Sequence, residues 1–158
     1  MHISNSPFRS YLKEDKGVVV KKRYKIPARK NNPALGLKST LKTMWGYKSQ
    51  KEMFIVLWGN HLIFNKNIVC PYTGEVLNGY YDTILWTSCF AHVLPKGKYP
   101  YWRLNPSNIR IVYPEFHKII DQGRFSDRLK HPEWKWDEWD KLVELKKNEY
   151  EEFIKKYL

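Results

Sequence analysis

The chain has 158 residues, which is enough for one domain with its own core plus extensions. Its formal net charge at pH 7 is +12, and the first 66 residues carry 14 Lys and Arg against 3 Asp and Glu, a net charge of +11. This charge predicts a polyanionic partner, nucleic acid first and an anionic membrane surface second. Two cysteines are too few for a disulfide framework. The sequence contains no run of about 18 apolar residues, the pattern that would predict a membrane span. We therefore expect an intracellular, cytoplasmic protein with reduced thiols.

Residues 1–40 are predicted to form a basic N-terminal arm. The segment is dense in Lys and Arg, contains several prolines and lacks an apolar periodicity. Such a composition favours either a disordered, solvated tail or an arm that contacts nucleic acid, and the two interpretations are compatible. Within it, Lys21, Lys22 and Arg23 are candidate phosphate contacts.

The next segment predicts a helix and then a hairpin. Ser49 is a plausible helix cap, apolar residues recur at helical spacing from Gln50 to Trp58, and Gly59-Asn60 supplies a stop. From His61 onward the pattern suggests a strand, a turn at residues 71–74 and a returning strand.

The following stretch predicts a strand, a long loop, a strand and a helix. TILWTSCFAHVLP is rich in β-branched and aromatic residues and suits a strand that ends near Pro95, and NIRIVY suits a second strand. Pro114 begins a helix that ends at Gln122-Gly123. These elements predict an α+β fold, with a domain at residues 41–125.

Residues 126–158 contain the strongest helix pattern of the chain. An apolar, mainly aromatic stripe recurs at helical spacing, with acidic residues early and lysines late. We expect an amphipathic helix that packs on the core, and docking to a partner or dimerisation is the alternative.

Four polar residues within the strand–loop–strand–helix segment are candidates for chemistry. His117 and Asp121 are four residues apart on the predicted helix, so they can present an imidazole and a carboxylate to one divalent metal. The alternative for this pair is a surface hydrogen bond. His92 ends the first strand and Asn108 opens the second, where its amide can bond to the backbone and brace the long loop. For each residue taken alone, a structural role is the alternative.

Taken in order, these motifs resemble the HNH endonuclease family, whose fold is named ββα-metal. The resemblance lies in HVLP, NIRIVYP and HKIID. NIRIVYPEFHKIID is similar to the colicin-type DNases, which carry a histidine where this chain has Asp121, and CFAHVLPKGKYP followed by RLNPSNI is similar to phage NinG-like HNH proteins. It implies an HNH-like core, hydrolysis of DNA with branched or recombination intermediates among the substrates, and one divalent ion (Mg, Mn, Ni or Zn). It further implies that His92 is the general base, that Asn108 orients the base or its loop, and that His117 and Asp121 bind the metal.

The chain departs from the family pattern at two places. HNH nucleases usually carry Asp or His just before the catalytic histidine, where this chain has Ala91. Of the family's zinc-binding cysteine pairs only Cys70 survives, so a structural zinc is not expected, and both cysteines are expected to be buried. The third metal ligand stays open among Asp82, Glu75 and Cys89.

Several basic and aromatic residues beside the candidate site are expected to contact DNA. Nothing resembles a base-reading helix, so recognition of shape or backbone is expected. Aromatic residues of the loop could stack on unpaired bases or pack beneath the loop. Two alternatives to a nuclease remain, namely an HNH-like module that binds nucleic acid without cutting it and a basic structural protein. The candidate phosphate contacts here are Lys96, Lys98, Arg103 and Arg110.

Overall fold

The computed structural model describes residues 40–157. It begins in a helical segment at residues 40–45 and combines four further α-helices with one two-stranded sheet. The predicted α+β class is confirmed at this level. The basic arm, apart from its last residue, lies outside the described residues, as do Lys21, Lys22 and Arg23. In chain order the elements are α1 (Gln50–Phe64), β1 (Phe90–His92), β2 (Ile109–Ile111), α2 (Pro114–Gln122), α3 (Phe125–Arg128) and α4 (Trp136–Tyr157).

Helix α1 begins where the sequence predicts and ends later. The Ser49 hydroxyl accepts a hydrogen bond from the backbone N–H of Glu52, which confirms the cap. The stop predicted at Gly59-Asn60 is wrong, because the helix continues to Phe64. Trp58 is buried against Trp86 and other core rings, and Gly59 is buried as well. Tertiary packing therefore outweighs the roughly 1 kcal/mol that a glycine costs inside a helix.

The turn predicted at residues 71–74 closes a very short hairpin. The Cys70 N–H donates to the Glu75 carbonyl, and the Leu77 N–H donates to the Ile68 carbonyl, both at 2.8 Å. Gly74 has φ +81°, a left-handed conformation that favours glycine. The strands predicted on either side reduce to a single bridge, and residues 61–64 belong to α1 instead.

The strand predicted over residues 83–95 is wrong for most of its length. Only Phe90–His92 is extended, and Trp86–Cys89 forms a 3-10 turn. Trp86 and Cys89, three residues apart, are both buried. The aromatic and β-branched composition of this segment therefore reflects burial on consecutive tight turns rather than the alternation of a pleated strand.

Antiparallel pairing joins β1 and β2 in the centre of the described fold. Phe90 lies opposite Ile111, and His92 lies opposite Ile109. The ring of Phe90 stacks on Phe54 of α1 with centroids 4.1 Å apart. The sheet therefore forms one wall of a core that α1 covers.

Helix α4 also packs against the core. Trp139 is 3% exposed and meets the rings of Tyr72 and Phe116 edge-on. Further along the helix, Tyr150 packs against Tyr99 and Trp102 of the loop that follows β1. The apolar stripe thus packs within the chain, as expected, and Trp102 packs beneath its loop instead of standing free for base stacking.

Candidate active site

A cleft of about 720 Å³ lies between the start of α1, the end of β1 with its following loop, and α2. His92, Lys96, His117 and Asp121 all line this cleft. Three of the four residues predicted for chemistry are therefore brought together, although 29 positions separate the first from the last. The fourth, Asn108, is fully buried behind them.

The strand pair and helix α2 orient the two histidines. Pairing continues past β1, where the N–H of Val93 donates to the carbonyl of Asn108 at 2.8 Å. Helix α2 begins at Pro114, which suits a first helical position, and buries Phe116 and Ile119 in the core. This confirms the helix predicted from Pro114 to Gln122.

Asn108 ties together the two ends of the loop between the strands. Its side-chain oxygen accepts from the N–H of Leu94 at 2.8 Å. Its amide nitrogen donates to the carbonyls of Leu94 and Trp102, at 3.0 and 3.4 Å. These bonds are the bracing contacts expected of this amide. They fix the backbone at Leu94, two residues after His92, and at Trp102, immediately before Arg103.

The ring nitrogen Nε2 of His92 has two neighbours. The backbone carbonyl oxygen of Arg103 lies 3.1 Å away, and the side-chain amide nitrogen of Gln50 lies 3.0 Å away. Burial lowers the pKa of His92 to about 4, and the Arg103 carbonyl opposes this shift only in part. The ring is therefore neutral at pH 7 and able to accept a proton.

His117 and Asp121 face each other on α2. Nδ1 of His117 lies 2.7 Å from the Ser88 carbonyl, and because a carbonyl only accepts, Nδ1 carries the hydrogen. The other nitrogen, Nε2, lies 3.0 Å from Oδ2 of Asp121. With the hydrogen on Nδ1, the contact between Nε2 and Oδ2 can be closed by a proton shared between the two atoms or by one metal ion that both bind.

The donor set of this pair fits a divalent ion. The 3.0 Å between Nε2 and Oδ2 is an ordinary hydrogen-bond distance, and an imidazole nitrogen with a carboxylate oxygen is also a donor pair that divalent ions accept. A carbonyl bond on the remote nitrogen is also the usual way in which proteins orient a histidine ligand. Within residues 40–157, however, no group of three His, Cys, Asp or Glu side chains converges.

None of the three candidates for a third metal ligand is placed beside His117 and Asp121 as a ligand would be. Asp82 and Glu75 are exposed and do not line the cleft. Cys89 is buried, and burial raises the pKa of its thiol to about 12, which disfavours the thiolate that a metal needs. Both cysteines are free and buried, as expected. Ala91, at the position where HNH nucleases usually carry a ligand, is fully buried and pairs with Arg110 on β2.

The predicted phosphate contacts separate into two groups. Lys96 lines the cleft, and Lys98 and Arg103 are exposed on the same loop without lining it. Arg110 lies opposite Ala91, so strand alternation directs it to the sheet face away from His92. Its guanidinium donates to the carbonyls of Ser107 and Ile109, so it braces backbone beside the sheet.

Two cleft residues escaped prediction from the sequence. Gln50 and Lys51, in the first turn of α1, form the wall opposite α2 and the β1 loop. The cap at Ser49 marks this turn as a helix start, but nothing local relates it to His92, which is 42 residues away. Lys51 is exposed and adds a second lysine to the cleft besides Lys96.

No family model, curated protein or solved structure matches this chain. Among residues 40–157, no helix is both long enough and apolar enough to cross a membrane. The arrangement of the cleft is therefore the basis for an assignment of function.

Proposed function

We propose that this chain is a metal-dependent HNH-type endonuclease that hydrolyses DNA phosphodiester bonds in the cytoplasm, with β1, β2 and α2 as its ββα-metal core. The observation that carries the proposal is the shared cleft, in which a half-buried, neutral His92 accompanies the facing pair of His117 and Asp121. One side chain can take a proton, and two can hold a cation beside it. Phosphodiester hydrolysis needs both functions.

The roles of the residues follow from their positions. His92 accepts a proton from the water that attacks phosphorus, and the Arg103 carbonyl holds its ring. Asn108 keeps the two backbone segments around His92 in place. His117 and Asp121 would hold the ion, which when bound supplies positive charge to the phosphate and leaving oxygens.

DNA would be held at the cleft mouth by positive charge. Lys51 and Lys96 line the cleft, with Lys98 and Arg103 exposed on the adjacent loop. If these residues and the basic arm together make 6–10 phosphate contacts, affinity should fall by roughly 10³–10⁵ between 50 and 200 mM salt. No base-reading helix is apparent in the sequence, so recognition of shape or backbone is expected, and the NinG-like resemblance makes branched DNA the substrate class to examine first.

A second function is favoured by one observation. Because residues 40–157 contain no group of three converging ligands, the cleft could bind nucleic acid without cutting it. Ala91 would then mark the position at which the catalytic metal was lost.

Plasmid nicking by the full chain tests the proposal. The reaction is run with Mg²⁺, Mn²⁺, Ni²⁺ or EDTA, beside His92→Ala and a control, His61→Ala, which removes an exposed histidine at the far part of α1. We expect metal-dependent nicking that His92→Ala reduces by about 10²–10⁴-fold and His61→Ala preserves. If no variant nicks any DNA while all still retard it on a gel, the binding function replaces the nuclease.

Calorimetric titration with Ni²⁺ gives a second, independent test. Wild type should bind one ion, and His117→Ala should lose that binding because it removes one of the two ligands. Equal binding by wild type and His117→Ala would place the ion elsewhere and contradict the assigned site.

A further inference from the structure

The contact between Gln50 and His92 bears on which ring nitrogen of the proposed base carries the hydrogen. Gln50 stands at the first position of α1, and its amide nitrogen is 3.0 Å from Nε2 of His92. The Arg103 carbonyl oxygen is 3.1 Å from the same Nε2. A neutral imidazole nitrogen either donates one hydrogen bond or accepts one. It cannot accept from an amide and donate to a carbonyl at once, so one of the two neighbours decides the tautomer.

The carbonyl is the neighbour that cannot adapt. Arg103 is fixed by its own N–H, which donates to the carbonyl of Pro100, and Asn108 holds the adjacent Trp102 carbonyl. Gln50 can adapt, since its terminal amide can rotate by 180° and exchange oxygen for nitrogen at nearly the same position. The backbone carbonyl therefore favours the hydrogen on Nε2, and Gln50 strengthens that preference when it presents its oxygen as a second acceptor.

We propose that Gln50 is a positioning residue for His92. The side-chain oxygen of Gln50 and the Arg103 carbonyl together hold the hydrogen on Nε2, which leaves Nδ1 free to take a proton from water. In the nuclease step, the water O–H bond breaks and Nδ1 gains the proton. The water oxygen bonds to phosphorus while the bond from phosphorus to the ester oxygen breaks, and the departing oxygen takes a proton from solvent. The resulting imidazolium keeps its Nε2–H between two acceptors. An orienting partner on the remote nitrogen is a general feature of histidine bases.

This role rests on the proposed nuclease function for its effect on rate, but the tautomer does not depend on cutting. Two substitutions separate the possibilities. Gln50→Glu keeps the shape and presents only acceptors, so it supports the hydrogen on Nε2. Gln50→Met keeps the length and removes the hydrogen bond. Gln122→Met is the matched control for the tautomer, because Gln122 also lines the cleft yet makes no hydrogen bond to His92 among the described residues.

The experiment records ¹⁵N long-range NMR correlations of the five histidine rings in the full chain at pH 7.5, with His92 assigned through His92→Ala. We expect the hydrogen of His92 on Nε2 in wild type, Gln50→Glu and Gln122→Met, and a mixture of tautomers in Gln50→Met. A hydrogen on Nδ1 in wild type would overturn the proposal, and so would a Gln50→Met spectrum identical to wild type.

Nicking kinetics then measure the consequence. Gln50→Met should lower kcat by about 10–100-fold with KM nearly unchanged, the range typical of partners that orient a functional histidine. Gln50→Glu should keep kcat within about threefold while KM rises, because its carboxylate repels phosphate. If wild type does not nick DNA but the tautomer pattern holds, the nuclease function fails and the positioning contact stands. If wild type nicks DNA and Gln50→Met leaves kcat unchanged, the positioning role fails alone.

Discussion

Replacement of Asn108 by alanine should destabilise the protein through two orphaned backbone groups. Within the described residues, the N–H and the carbonyl of Leu94 have Asn108 as their hydrogen-bond partner, and Leu94 is fully buried. The Trp102 carbonyl keeps a second donor, the N–H of Asn105. Each buried group left unpaired costs about 1–3 kcal/mol, so Asn108→Ala should lower the free energy of unfolding by about 2–6 kcal/mol.

Urea unfolding followed by tryptophan fluorescence measures this loss, with Asn105→Ala as the matched control. Asn105 is also buried, but its side chain accepts a single bond from the N–H of Ser107, in the manner of a cap. Its removal should cost about 1 kcal/mol. Equal losses in the two variants would refute the argument that Asn108 is the brace of the loop, because burial alone would then explain both.

Three further outcomes follow from the described residues. Burial lowers the pKa of His92 from about 6.5 to about 4, so between these pH values the unfolded chain binds a proton that the folded chain does not. The free energy of unfolding should therefore fall by up to roughly 3 kcal/mol as the pH is lowered from above 6.5 to 4. Urea unfolding should show a smaller fall in His92→Gln. Burial raises the pKa of Cys89 to about 12, so iodoacetamide at pH 8 should label this thiol only after unfolding, and rapid labelling of native protein would contradict its burial. A Cβ added at Gly123 would overlap the Ile119 backbone, so Gly123→Ala should cost about 1–3 kcal/mol in thermal unfolding, whereas Gly79→Ala meets no atom within 4 Å and should cost less.

The order of β1, β2 and α2 could be predicted because each element carries a local cue. Ile109–Ile111 alternates two buried side chains with a half-exposed one, the pattern of a strand with one covered face. Pro114 and Gly123 bound the helix, since proline suits a first helical position and the N–H of Gly123 closes the last turn on Ile119. Such patterns involve only a few neighbouring residues, so they can be recognised in the sequence.

What could not be predicted depends on contacts distant in sequence. The extent of α1 is set by Trp58, whose partners lie 23 to 32 residues further on, at Tyr81, Trp86 and Phe90. The role of Gln50 depends likewise on a contact to His92 across 42 residues. For the site, sequence reasoning could name the residues of β1 and α2 but not the wall that α1 provides.

The nuclease and the binding-module hypotheses make different predictions for His117 and Asp121, the facing pair on α2. Because Nδ1 of His117 is committed to Ser88, a proton or a metal ion must lie between Nε2 and the Asp121 carboxylate. Asp121→Asn removes that requirement, since its amide can donate directly to a neutral ring. The variant should therefore fold as stably as wild type but lose the added stability that a bound ion confers, about 2.7 kcal/mol at a concentration 100 times Kd.

Thermal unfolding of wild type and Asp121→Asn in Ni²⁺ and in EDTA distinguishes the two functions. In the nuclease, Ni²⁺ raises the Tm of wild type and not that of the variant, because the ion replaces the proton between two acceptors that only wild type has. In the binding module, the proton alone occupies that position, and neither Tm responds to the ion. An equal rise in both proteins would show that the ion binds without Asp121, and the site would then have to be sought among other residues of the chain.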